Sequence, residues 1–373
     1  MIIAHFSLIY KYVYSIYIIM SIVDNKFSKS EINRAGNILC NDKNYSSEEI
    51  NNALEVVSYW KSIHNYPLNI FKNRLSRISK KIDGNALSAQ RLKRVSSIIS
   101  KLQRKYYNNL PTMKLTQMQD IAGCRVVLSN LSQVRELYEK YYLKGNLKHT
   151  LVNEKNYIQN PKLDGYRSIH LIYKYTSDKG KKEYNDLLVE IQIRSKIQHI
   201  WATAVETVDF FTKQAIKSNQ GNKNWMYFFK LVSSAFAMIE KSTLIPGVSQ
   251  NEKGLFLEIK KKEIELDVIK QMTQWFKSLK FFDNFKKNQK MHFFLLELDI
   301  ITEKLNISAY TKNQEKEAML AYSKAEKKIY NKQDYDVVLV SADNVKSLKK
   351  AYPNYFLDTK EFLKFLNIII KKY

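Results

Sequence analysis

The sequence predicts an α/β protein of the α+β kind. A mixed β-sheet is flanked by helices, with a helical N-terminal part and a small α/β unit at the C-terminus. Three observations predict it. IAGCRVVLS, Ile121 to Ser129, is short, apolar and β-branched, the composition of a buried strand. LVEIQIRS sets Leu188, Glu190, Gln192 and Arg194 against Val189, Ile191 and Ile193, one polar and one apolar face at strand period. Helically spaced segments surround these runs, and only 9 Gly and 5 Pro in 373 residues leave room for long helices.

The chain divides as follows. MIIAHFSLIYKYVYSIYIIM is apolar but carries His5, Lys11 and several tyrosines. It lacks the basic start and small-residue cleavage site of a signal peptide and sits at the lower edge of spanning length. Residues 1–19 are read as an extension ahead of an initiator at Met20, with a membrane anchor as the less favoured alternative. Residues 20–110 read as mostly helical. Ser46 and Glu49 form a capping box, followed by Leu54, Val57 and Ile63 near helical spacing. A second helix is expected over SAQRLKRVSSIISKLQRKYYNNL, with Leu92, Val95, Ile99 and Leu102 as its apolar stripe and Pro111 as its stop. Residues 111–241 form the mixed core, in which QVRELYEKYYLK and IQHIWATAVETVDFFTKQAI are helices. Residues 242–254, with Pro246, Gly247 and Gly254, read as a linker. In 255–373, residues 255–285 look helical, HFFLLELDI and YDVVLVSAD look like strands, and Asp358 or Thr359 starts a terminal helix.

Lys and Arg total 61 against 36 Asp and Glu, a formal net charge of +25. That surplus points to a polyanionic partner (nucleic acid, nucleotides or an anionic surface) or to a lysine-biased coding composition. Cys40 and Cys124 are the only cysteines, which excludes a disulfide framework and a Cys-based zinc site and fits a reducing cytoplasm.

Candidate chemistry concentrates in three blocks. Asp120 stands at the start of a strand and Glu190 on the polar face of another; two such carboxylates suffice for a Mg²⁺ that is also held by phosphates. One of them could also take a proton from an attacking hydroxyl. Arg91, Lys93 and Lys101 are expected on one basic helix, with Arg125 five residues beyond Asp120. In NYIQNPKLDGYRSIHL, Asp164-Gly165 makes a tight turn, Tyr166 is expected at its tip as a base-stacking platform, and Lys162, Arg167 and His170 are expected around an acceptor's phosphates.

KLTQMQDIAGCRVV, NYIQNPKLDGYRSIHL and LVEIQIRSKIQHIWA, in this order, resemble the RelA/SpoT alarmone synthetase domain over about residues 60–215. The resemblance implies a nucleotidyltransferase-like fold and an ATP- and Mg²⁺-dependent pyrophosphokinase acting on a ribose 3′-hydroxyl. It implies Asp120 and Glu190 as catalytic and metal-binding acids. Arg91 and Arg125 would clamp adenine, and Lys93, Ser97 and Lys101 would meet the donor's phosphates. Tyr166, Lys162, His170, Gln192 and Arg194 would surround the acceptor, with Glu206 as a further polar candidate. No His-Asp dipeptide of the family's hydrolase domain occurs in the chain.

The C-terminal YDVVLVSADNVKSLKKAYPNYFLDTKEFLKFL, with FSKSEINRAG and YWKSIHNYPLN near the start, resembles the CapRel group of fused toxin–antitoxin proteins. That resemblance implies a cytoplasmic toxin that pyrophosphorylates the 3′-CCA end of tRNA in anti-phage defence. It implies a regulatory C-terminal domain, 255–373, whose Tyr352 and Tyr355 cover the ATP site until a phage structural protein binds. The alternative is a small alarmone synthetase acting on GDP, GTP or an adenine nucleotide.

Overall fold

The computed structural model describes residues 26–104, 113–145, 147–178, 180–212, 222–278, 280–283, 291–299, 301–302, 304–330, 332, 334–342, 345–356 and 359–373. The apolar leader, Pro111 and Asp358 lie outside them. In chain order come α1 (Lys29–Cys40), α2 (Ser47–Ile63), α3 (Asn65–Ile82), β1 (Leu87–Leu92), α4 (Val95–Leu102), β2 (Ala122–Leu128) and α5 (Leu131–Glu136), which runs on as a π-helical turn over Leu137–Leu143. Then follow β3 (Thr150–Asn156), β4 (Ile169–Lys174), β5 (Leu188–Ser195), α6 (Lys196–Thr212), α7 (Lys223–Ile239), α8 (Glu252–Leu266) and α9 (Val268–Ser278). The chain closes with β6 (Lys280–Asp283), β7 (Met291–Asp299), β8 (Lys304–Thr311), α10 (Glu315–Lys328), β9 (Tyr335–Ser341), α11 (Val345–Ala351) and α12 (Lys360–Lys371).

Among the described residues the strands form one mixed sheet of nine, in the order β3-β4-β5-β2-β1-β9-β7-β8-β6. β2 and β5 run parallel, as do β6 and β8; the other neighbours are antiparallel. The predicted alternation along β5 holds: Val189, Ile191 and Ile193 are fully buried, and they join Cys124 and Val126 of β2 and Leu171 of β4 in the core covered by α1, α2 and α3. The Ser46–Glu49 capping box is present, with each side chain bonded to the other's backbone N–H.

Residues 87–92 depart from the expected helix. They form β1, which sits between β2 and β9 in mid-sheet, so Arg91 lies on a strand and the helix begins only at Val95. Pairing on both edges outweighs the helical spacing of the apolar residues, because backbone groups buried in mid-sheet need ladder partners. Similarly, the helical stretch expected over 255–285 ends at Ser278 and is followed by β6. β8 and α10 had no counterpart in the sequence reading.

The β3–β4 connection is held rigidly. The Gly165 N–H donates to the Lys162 carbonyl at 2.9 Å, closing the expected turn, and Gly165 adopts φ +98°. Its carbonyl accepts from Ser233 Oγ of α7 at 2.6 Å, and a Cβ there would stand 2.8 Å from the Trp201 ring of α6. Gly165→Ala therefore combines left-handed strain with a steric collision. It is expected to destabilise the protein by about 2 kcal/mol or more in denaturant unfolding, whereas a loss below about 0.5 kcal/mol would contradict the packing described.

Candidate active site

One face of the sheet gathers the candidate residues. Along β5, Glu190, Gln192 and Arg194 share that face at strand period. The parallel register sets Gly123 beside Glu190 and Arg125 beside Gln192. The antiparallel registers add His170 beside Gln192 from β4 and Arg91 beside Gly123 from β1.

Asp120 lies two residues before β2 and receives both lysines: Lys93 Nζ lies 2.9 Å from Oδ2 and Lys101 Nζ 2.7 Å from Oδ1. Burial pushes its pKa up, but the two ammonium groups more than offset this and hold it at about 2. Glu190 Oε1 is bonded to His170 Nδ1 at 2.9 Å and Oε2 accepts from Gln192 Nε2 at 2.6 Å. Burial raises its pKa and Asp120 does too, yet the hydrogen bond and charge of His170 leave it below the usual glutamate range. Both carboxylates are thus ionised at neutral pH, and the charge of Asp120 acts on Glu190.

His170 continues to Tyr166. Its Nε2 pairs with Tyr166 Oη at 2.8 Å, giving a chain Tyr166–His170–Glu190. Tyr166 is half-buried, and burial raises its hydroxyl to about 12, so it stays protonated. It is not at the loop tip, where Leu163 is exposed instead; the Asp164 carboxylate accepts its backbone N–H and draws it inward. Lys162 Nζ stands 5.2 Å from the Tyr166 ring and 4.8 Å from that of Tyr157.

Tyr157 went unnoticed as a candidate, although it lies in the same motif. It packs edge-on against both Tyr166 and His170, with centroids 5.9 and 5.4 Å away. Arg167, expected beside the acceptor, turns inward: it is 3% exposed and its Nε donates to Ser233 Oγ. Ser97 lies in the first turn of α4.

The arginines form a separate positive cluster. Arg194 is buried and near enough to Arg125 and Arg91 for their charges to act on it; burial, then Arg125, lowers its pKa to about 9. Its Nη2 donates to His199 Nδ1 at 2.7 Å. Burial, then the arginines, push His199 far below its ordinary range, so the ring is neutral and Nε2–H donates to the Lys350 carbonyl at 3.2 Å. Glu206 of α6 adds an opposing charge to this cluster.

The C-terminal segment closes over it. Tyr352 is 3% exposed, its hydroxyl donates to the Gln90 carbonyl at 2.7 Å, and Arg125 Cζ stands 5.3 Å from its ring. The side chain of Tyr355 lies outside the described residues.

Among the described residues no group of three or more His, Cys, Asp or Glu could hold a metal ion, and no helix is long and apolar enough to cross a membrane. Two ionised carboxylates are a donor set suited to a hard cation whose other ligands are phosphate and water oxygens.

Two ionised carboxylates among lysines and arginines, beside tyrosine rings, are groups suited to handling polyphosphates. The comparisons carry this further. The sequence model described as the region found in RelA / SpoT proteins matches residues 90–213. GTP pyrophosphokinase YwaC of Bacillus subtilis (strain 168) is 31% identical over 158 residues, 40% of this chain and 73% of that protein. GTP pyrophosphokinase YjbM of the same organism is 29% identical over 171 residues, 46% of this chain and 76% of the relative. A crystal structure of small alarmone synthetase 1 from Bacillus subtilis, bound to its product pppGpp, aligns at 25% identity and a TM-score of 0.41 over 48% of this chain and 90% of that one. The chain belongs to the RelA/SpoT family of pyrophosphokinases.

The ion-pair geometry makes its own prediction. Lys93→Met removes one of the two ammonium groups on Asp120 and should raise that carboxyl from about 2 towards the ordinary aspartate range in an NMR titration. An unmoved value would contradict the pairing.

Proposed function

We propose that the protein transfers the β,γ-pyrophosphate of ATP to the ribose 3′-hydroxyl of a guanine nucleotide. The observation that carries this is the hydrogen-bonded chain Tyr166–His170–Glu190, with the lysine-paired Asp120 near enough for its charge to act on Glu190. The acceptor class is supported by the two Bacillus subtilis relatives, each named a GTP pyrophosphokinase.

The roles follow from position. Arg91 and Arg125 would grip the adenine by stacking and charge. Lys93, Ser97 and Lys101 would contact the donor's phosphates. Tyr166 would stack on the acceptor base, an interaction worth about 1–3 kcal/mol, with Lys162, Gln192 and Arg194 around the acceptor's phosphates. Glu190 would take the proton of the 3′-hydroxyl, with His170 holding its carboxylate in place. The 3′-oxygen bonds to the β-phosphorus, the bond from that phosphorus to the α–β bridging oxygen breaks, and AMP leaves. Asp120 and Glu190 would hold Mg²⁺, which when bound neutralises charge on the transferred group.

A second reading is favoured by Tyr352. Its ring lies against Arg125, the position where the family's adenine would sit, so the C-terminal part would act as a cover on its own donor site. This is the arrangement implied by the CapRel resemblance, in which the acceptor is the tRNA 3′-CCA end and a phage structural protein releases the cover. The net charge of +25 suits a tRNA approach surface.

One experiment separates the two. The wild type and Tyr352→Ala are incubated with γ-labelled ATP and either GDP plus GTP or deacylated tRNA. Label on the guanine nucleotides is the expected result. Label on tRNA alone would overturn that acceptor in favour of the second reading. A rate at least about tenfold higher in Tyr352→Ala is expected if the tyrosine covers the site, since opening by about 1.4 kcal/mol suffices; equal rates would exclude the cover.

A further inference from the structure

Glu326 belongs to α10 in the C-terminal part, yet its carboxylate is buried among the N-terminal helices. Oε1 accepts the backbone N–H of Val95, the first residue of α4, at 3.0 Å across 231 residues of sequence. The Tyr322 hydroxyl donates to the same oxygen at 2.8 Å. Lys61 of α2 is 1% exposed; its Nζ binds Oε2 and lies 3.2 Å from Tyr322 Oη and 4.4 Å from that ring's centroid.

α4 needs such a partner. Its N-cap residue, Arg94, makes no side-chain cap hydrogen bond, unlike Ser28 and Ser46 ahead of α1 and α2. The Arg94 guanidinium has no acceptor to offer the helix N–H groups and forms an ion pair with Asp336 of β9. A carboxylate at a helix N-terminus satisfies an orphan N–H and complements the helix dipole. A buried ion pair adds little net stability over apolar side chains of the same size. What an apolar pair cannot do is accept the Val95 N–H.

α4 also carries Lys101 and starts two residues after Lys93, and these are the lysines that hold Asp120. We infer that Glu326 is a positioning residue for the donor end of the site: by fixing the first turn of α4 it sets the Lys93–Asp120–Lys101 arrangement. The C-terminal part is then a working component of the enzyme and not only a cover over it. This rests on the reading of α4 as the helix that meets the donor's phosphates.

Two double variants test it. Lys61→Met/Glu326→Gln and Lys61→Met/Glu326→Met both remove the buried charges, but only the first keeps an acceptor for Val95. Both are expected to fold. The KM for ATP should be about fivefold higher in the Met/Met protein than in the Met/Gln protein, the change expected for a lost helix cap, with the KM for the acceptor nucleotide unmoved. Equal KM values for ATP in two folded proteins would reduce Glu326 to a stability element. Should the Met/Met protein not fold, Tyr322→Phe, which removes a hydrogen bond from the Glu326 oxygen that accepts Val95 and another from Lys61 Nζ, is expected to raise the KM for ATP about twofold; no change there would overturn the inference. Lys101→Ala is the control. If it too leaves the KM for ATP unmoved, the donor reading of α4 is what fails, and the role of Glu326 falls with it.

Discussion

The parallel pairing of β2 with β5 is the constraint on which the site depends. Its register places Glu190 beside Gly123 and Gln192 beside Arg125, and strand period then puts Arg194 on the same face. A shift of one residue would turn Glu190 and Gln192 into the core and Ile191 and Ile193 out to the site. The apolar half of β5 prevents this, because Val189, Ile191 and Ile193 are fully buried against the helical layer. Core packing and site geometry are therefore fixed by the same register, and neither can be altered alone.

The second determinant is how this face distributes charge. Asp120 lies between two lysines, Glu190 between a histidine and an amide, and the arginines lie further along the strands. Burial alone would drive both carboxylates towards the neutral form; fixed cations and hydrogen bonds reverse that. Burial, and after it the charge of Arg125, push Arg194 down to about 9, and an anionic ligand would relieve the repulsion between the arginines. The C-terminal part meets the same region at several points: β9 pairs with β1, Tyr352 lies on Arg125, the Lys350 carbonyl takes the His199 N–H, and Glu326 holds Val95.

Much of this was legible in the sequence where the signal was local. The strand alternation of LVEIQIRS, the Ser46–Glu49 cap and the Asp164-Gly165 turn all follow from near-neighbour chemistry, and each stands as read. What was not legible depends on partners far away in the chain. Residues 88–92 open a segment read as helical, yet β2 pairs along all of them and β9, some 250 residues later, pairs at Gln90 and Arg91, so they form a strand. β3 has no buried alternation because most of its residues are exposed, so it left no period to find. Tyr166 was expected at the loop tip and is drawn inward by Asp164 and His170; Arg167 looked like a phosphate ligand and is a buried strut under Gly165. Tyr157 and His199 lay within the quoted motifs but acquire meaning only from their three-dimensional neighbours.

The central claim is that this face cleaves ATP between its α- and β-phosphates in the service of an acceptor. The products report on it directly. With ATP and a guanine nucleotide acceptor, chromatographic analysis should show AMP, formed one for one with pyrophosphorylated acceptor, absent without acceptor and lost in Glu190→Gln. ADP as the acceptor-dependent product, or AMP formation that persists in Glu190→Gln, would contradict the account.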